Sequence, residues 1–204
     1  MGRSRNGERK VLVRHRDMEK LILRETDILI EDWSRKVHEY DGLIYIMHRR
    51  DSDGSLLPLY IGKAETLGRG DGNLSANLQR LHINKDKFAR WGDNYAYHIG
   101  DLSAAVLSSH PVEKRNPKYS AWATKLFESV PTDQPKLAFG IYFWAKAWKS
   151  TDVGVWPELS PTRLAFLEYL LIGVASTAFG SLLNYEGRNR FSAQADIPDP
   201  MTLT

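Results

Sequence analysis

Cysteine is absent from the 204 residues. That excludes disulfides and thiolate zinc sites, and it is compatible with a cytoplasmic protein. A long apolar run is also missing. The longest, Leu164 to Phe179, carries Glu168 and falls short of the roughly 20 apolar residues that span a bilayer. The charged N-terminus is not followed by an apolar segment, so no signal peptide is expected. Internal repeats and low-complexity tracts are absent as well. These absences lead to the expectation of a soluble, cytoplasmic protein with no membrane partner.

Net charge is small, at +3, but it is unevenly placed. Residues 1 to 20 hold seven basic side chains against three acids, so this arm carries +4 and the remainder −1. A basic arm on a near-neutral body suits a polyanionic partner, and a merely solvated terminus would have the same composition. The length makes a single domain with a genuine core the default. The expected layout is a basic, mobile arm over 1–16, one domain over 17–190 and a loose tail over 191–204.

The most informative stretch is 42–64, GLIYIMHRRDSDGSLLPLYIGKA. Two apolar, β-prone runs flank Asp51-Ser52-Asp53-Gly54, which has strong turn chemistry. Pro58 suits the start of a strand or an edge. A hairpin here brings Tyr45 and Tyr60 into one sheet, each beside a glycine. Two tyrosines packed in a β-core would produce the same pattern.

Before the hairpin, apolar residues from Met18 to Tyr40 recur at helical spacing, with Asp17 as N-cap. The stripe would pack on the domain or serve a homodimer contact. After it, Ala64 to Gly72 reads as a glycine-rich loop containing Arg69. It is not a Walker loop, because no Gly-Lys-Ser/Thr ends it. A helix is expected from Leu74, capped by Asn73 and carrying Arg80. A second short helix over 85–91 carries Arg90, and a third strand is expected over 95–102, with His98 in it. Asn116-Pro117 predicts a helix start running to about Val130. Leu137 to Trp148 reads as an aromatic strand whose Trp144 and Trp148 would pack in the core or stack on bases. Val153, Val155 and Trp156 suggest a short strand. Ser160-Pro161 predicts a final helix to Phe179, apolar on all sides and therefore buried. Its lone acid, Glu168, requires a partner or a metal unless it lies at an exposed edge; Arg163, five residues before it, is poorly placed to pair with it along a helix.

The pair GLIY and LYIG, followed by Lys63-Ala64, resembles the motif pair of the GIY-YIG nuclease family. One extra residue separates Gly42 from Tyr45, whereas Tyr60-Ile61-Gly62 matches letter for letter. The resemblance extends over 42–187, because an arginine after the hairpin, Glu168 and Asn184 follow in the family's order. It implies an α/β domain, a small and mainly antiparallel sheet flanked by helices. It also implies a Mg²⁺-dependent DNA endonuclease, with Mn²⁺ as an alternative ion. Within that resemblance Glu168 is the metal ligand, and Tyr45 is the general base or orients the attacking water. Tyr60 and Lys63 assist it, Asn184 anchors the site, and Arg80, or else Arg90, contacts the phosphate. The length between Tyr60 and Glu168 fits larger restriction-like or anti-phage members. A structure-specific repair nuclease and a catalytically silent nucleic-acid-binding module are the alternatives.

Overall fold

The computed structural model of the chain describes residues 2–3, 10–13, 15–66, 102–180, 182–184 and 187–188. In chain order the elements are β1 (Gly2–Arg3), β2 (Lys10–Val11), α1 (Arg16–Ser34), β3 (Tyr40–Arg50), β4 (Leu56–Glu65), α2 (Leu102–Val106), α3 (Pro117–Leu126), β5 (Ile141–Lys149) and α4 (Leu164–Phe179). Short 3₁₀ turns lie at Val112–Lys114 and Pro157–Leu159. The class is mixed α and β, with a small antiparallel sheet, as the sequence predicts. Among the described residues no helix is long and apolar enough to cross a membrane.

These residues belong to two compact units. The described part of the first comprises residues 2–3, 10–13, 15–16 and 102–141. In it β1 and β2 pair antiparallel. The basic arm is not loose along its described length. Val11 and Leu12 are buried, the Leu12 amide donates to Ser103 Oγ at 3.0 Å, and His110 Nε2 lies 2.9 Å from the Lys10 carbonyl. The two buried apolar side chains, Val11 and Leu12, dock this part of the arm. Asn116 caps α3 as expected, accepting from the Lys118 amide at 2.9 Å with Pro117 in the first turn. The helix stops at Leu126, short of the predicted Val130, because Phe127 turns to an extended backbone that pairs with Leu137. Leu102 opens helix α2 rather than closing a strand, and residues 95–101 lie outside the described residues.

The described part of the second unit comprises residues 17–66, 142–180, 182–184 and 187–188. Helix α1 ends at Ser34, six residues before the expected Tyr40. The reason is local: Lys36 and His38 adopt positive φ, and Asp32 folds its carboxylate over the amides of Glu39 and Tyr40 at 3.0 and 3.4 Å. That clamp turns the chain into β3. The buried Glu25 ties the helix to the sheet, its Oε2 accepting from the Ala147 amide at 2.8 Å.

The hairpin forms where the turn chemistry places it. Gly54 takes φ +83°, and its amide donates to the Asp51 carbonyl at 3.0 Å. The strands run antiparallel with Tyr45 opposite Gly62 and Met47 opposite Tyr60, and a bulge follows at Met47/His48. The strand order is β4-β3-β5. The central strand is therefore β3, and Pro58 sits on edge strand β4, where its missing N–H breaks no ladder. The third strand of the sheet is β5, the aromatic run. The residues Val153 to Trp156 form no strand, only a bridge from Val153 to Pro161.

Helix α4 packs on the face of the sheet that carries Ile44 and Ile61, with Leu164, Leu167, Ile172 and Ala175 inward and Trp148 in the same cluster. Two expectations fail here. Neither Ser160 nor Pro161 starts the helix. Leu164 opens it, and Asp41 supplies the cap from β3: its Oδ2 accepts from the Leu164 amide at 3.1 Å and holds Arg163 Nε at 2.9 Å. A carboxylate at a helix N-terminus meets unsatisfied amides and the positive end of the helix dipole. Second, the helix is not buried on all sides. A single sheet face covers only half a helix, and Phe166, Tyr169, Val174 and Phe179 remain exposed.

Candidate active site

The first feature is a phenol seated on a glycine. Tyr45 is 2% exposed, and its ring stacks on Phe143 with centroids 5.5 Å apart and lies 6.1 Å from that of Tyr60. A Cβ placed on Gly62 would fall 2.5 Å from both Cζ and Oη of Tyr45, and 2.8 Å from Cε1 of Tyr60. The phenol end of Tyr45 therefore occupies the space a side chain at 62 would need. The glycine of the second motif is required by this close approach, since real Cβ contacts do not fall below about 3 Å without displacement. Gly42 is held for a related reason. It takes φ +147°, and a Cβ there would collide with the Ala64 carbonyl and reach within 2.9 Å of Leu164 Cδ2.

The second feature is an ammonium between two carboxylates. Lys63 Nζ lies 2.9 Å from Glu65 Oε2 and 4.0 Å from Glu168 Oε2. The expectation of a fully buried Glu168 is corrected: its side chain is 18% exposed, on the flank of α4. Arg163, the intrahelical partner weighed from the sequence, is engaged by Asp41 instead. Glu65 was missed in the sequence. The Lys63-x-Glu65 spacing places both side chains on one face of a strand, which is the signal that would have found it.

The third feature is an amide clamp. After α4 the chain returns along the edge of β4, where the Leu183 amide donates to the Leu59 carbonyl at 2.7 Å. Asn184, buried, then accepts from the Ile61 amide at 3.0 Å and donates to the Ile61 carbonyl at 2.7 Å. A side-chain amide matches a peptide group donor for acceptor, so one residue satisfies both exposed backbone groups of an edge strand.

The register puts Tyr45, Tyr60 and the Cα of Gly62 on one face of the hairpin, and Ile61 and Lys63 on the face that carries α4. Thus the tyrosine pair, the Lys63–Glu168 contact and the Asn184 clamp all converge on residues 60–63, from the two faces and the outer edge. Arg80 and Arg90 lie outside the described residues, as do Arg69 and His98. The two tryptophans of the aromatic strand part company. Trp148 is core, its Nε1 donating to the Thr162 carbonyl at 2.7 Å, whereas Trp144 stays exposed beside Tyr142 on the same face. Arg50 lies over the Tyr142 ring at 5.2 Å and His48 stacks against it at 5.7 Å. Burial holds the His48 imidazole below the usual histidine range; a hydrogen bond with the backbone of Ile46 opposes the shift, and the nearby Arg50 adds to it.

For a metal, Glu168 and, across Lys63 from it, Glu65 are the carboxylates that the described residues offer at this place. Mg²⁺ binds through one or two carboxylates and keeps several waters, so a single partly exposed glutamate fits it. The Lys63 ammonium lies nearer to Glu65 than to Glu168. Among the described residues no group of three or more His, Cys, Asp or Glu converges as a multi-carboxylate metal centre would require. Comparisons with protein-family models, with curated proteins and with solved structures return no match.

Proposed function

We propose that the chain is a Mg²⁺-dependent endonuclease of the GIY-YIG type acting on DNA, in a restriction or anti-phage role. The observation that carries this reading is the attachment to residues 60–63 of two tyrosines on one face of the hairpin, a lysine–glutamate contact on the other and an asparagine clamp at its edge.

Hydrolysis of a phosphodiester forms a bond from water oxygen to phosphorus and breaks one P–O ester bond; the departing oxygen takes up a proton. The chain must orient the water, offset charge on the phosphoryl oxygens and hold the geometry. Tyr45 is fixed by Phe143 on one side and Gly62 at its end, so its hydroxyl is a pre-set hydrogen-bonding group that orients the water. Tyr60, less buried, lines the same face. Lys63 supplies positive charge beside Glu168. Asn184 keeps the backbone between Tyr60 and Lys63 in register. Glu168 would hold the ion, which supplies Lewis-acid polarisation of phosphoryl oxygen and an acidified water when bound. The phosphate-fork role remains with Arg80, or else Arg90.

The exposed Tyr142–Trp144 surface with Arg50 supports a nucleic-acid partner in either case, and by itself it would serve a catalytically silent binding module. One experiment separates the two. Supercoiled plasmid, branched DNA and RNA are each incubated with the full chain in Mg²⁺ or in EDTA, alongside Glu168→Gln. The expected result is Mg²⁺-dependent DNA cleavage that Glu168→Gln abolishes while binding persists. Cleavage confined to branched DNA would assign the repair role. Binding without cleavage of any substrate would sink the nuclease reading.

A further inference from the structure

Helix α4 contains a glycine at its centre that its surroundings do not require. A glycine inside a helix costs about 1 kcal/mol relative to alanine. Gly173 does not take a positive φ, and a Cβ built on it meets nothing within 4 Å. What it does is leave space. It lies in the floor of an open pocket of about 640 Å³ on the outer face of α4, lined by Trp156, Tyr169, Leu170, Thr177 and Arg188 among others. Trp156 is 42% and Tyr169 57% exposed. Among the described lining residues there is one cation and no anion. Arg188 is brought there by its neighbour: Gly187 takes φ +75° and lies flat on the helix, where a Cβ would come 3.2 Å from Ile172 Cγ2 and 3.5 Å from Tyr169 Cδ1.

We infer that this pocket receives one unstacked base of a single-stranded nucleic-acid segment, stacking it on Trp156 and Tyr169 and holding its phosphate with Arg188. Two exposed aromatic faces, a cation and a cleared floor match a flat ring joined to an anion. Aromatic stacking accepts any base, and an arginine holds phosphate as a charged fork. A pocket of several hundred Å³ is of the size that small planar ligands occupy. The inference rests on the nucleic-acid reading above and specifies the substrate as locally single-stranded.

The test uses the full chain in EDTA and a single-stranded oligonucleotide containing 2-aminopurine. Binding should quench the fluorescence. Trp156→Ala and Tyr169→Ala should each weaken binding by about tenfold, as loss of one stacking partner does. Tyr169→Phe should bind like wild type, because the ring remains. Gly173→Leu fills the pocket without straining the backbone and should block binding while raising the melting temperature. Arg188→Ala should reduce the slope of log affinity against log salt by about one. Three results would overturn the inference: absence of quenching by the wild-type chain, Gly173→Leu binding as wild type, or adenosine monophosphate binding as tightly as the oligonucleotide. Plasmid cleavage by the same variants keeps the two readings apart. Quenching without any cleavage removes the nuclease and leaves the pocket; cleavage indifferent to all pocket variants removes the pocket and leaves the nuclease.

Discussion

Asn184 and Ile61 exchange two hydrogen bonds across the edge of the sheet: the asparagine Oδ1 accepts from the isoleucine amide at 3.0 Å, and Nδ2 returns a donor to its carbonyl at 2.7 Å. The residues are 123 positions apart in the chain. Asn184→Ala leaves a buried amide and carbonyl without these partners, which costs about 1–3 kcal/mol per orphaned group. Asn184→Asp keeps the acceptor but sets a carboxylate against the Ile61 carbonyl, so it should be no milder. Urea melts with midpoints equal to wild type would show that the clamp contributes nothing.

Tyr45 and Gly62 make a second testable pair. Tyr45→Phe keeps the stacking on Phe143 and should melt close to wild type. If the hydroxyl orients water, cleavage should fall on the order of 10²-fold or more. A fully active Tyr45→Phe would return the tyrosine to a packing role. Gly62→Ala should destabilise by about 1–3 kcal/mol, because overpacking forces the ring from its seat. Unchanged stability of Gly62→Ala would contradict the close approach.

The Lys63 ammonium faces both Glu65 and Glu168. Lys63→Met removes positive charge beside the carboxylate proposed to hold Mg²⁺. The half-saturating Mg²⁺ concentration for cleavage should therefore fall while the maximal rate also falls. A midpoint that rises in Lys63→Met would mean that the lysine helps the ion bind rather than competing with it.

His48 yields a prediction in pH. Burial, with Arg50 adding to it, lowers its pKa in the folded chain, whereas unfolding restores an ordinary value near 6.5. The unfolded state then binds more protons, so stability rises with pH in the window between the two values. The contribution is fully present above about pH 6.5 and is lost as pH falls toward the lowered native value. His48→Gln should flatten the melting temperature between pH 7 and 5; an unchanged slope would show that His48 does not set it.

The sequence by itself determined what is local. Asp51 to Gly54 dictates a turn, the apolar, β-prone runs on either side dictate a hairpin, and Asn116-Pro117 dictates a helix start, because each depends on backbone and side-chain chemistry within a few residues. The arrival of Tyr45 and Tyr60 in one hairpin follows from the same short-range logic. Tertiary structure decided the rest. Asp41 displaced Ser160 as the cap of α4 because a carboxylate delivered by the neighbouring strand reaches the first free amide. Glu168 turned to Lys63 rather than Arg163 because Asp41 already held the arginine. Helix α4 kept an exposed apolar side because the sheet has only one face to offer it. The reason is common to all three. A sequence shows which groups need partners, but several groups more than a hundred residues apart can satisfy each need, and only the packed chain selects among them.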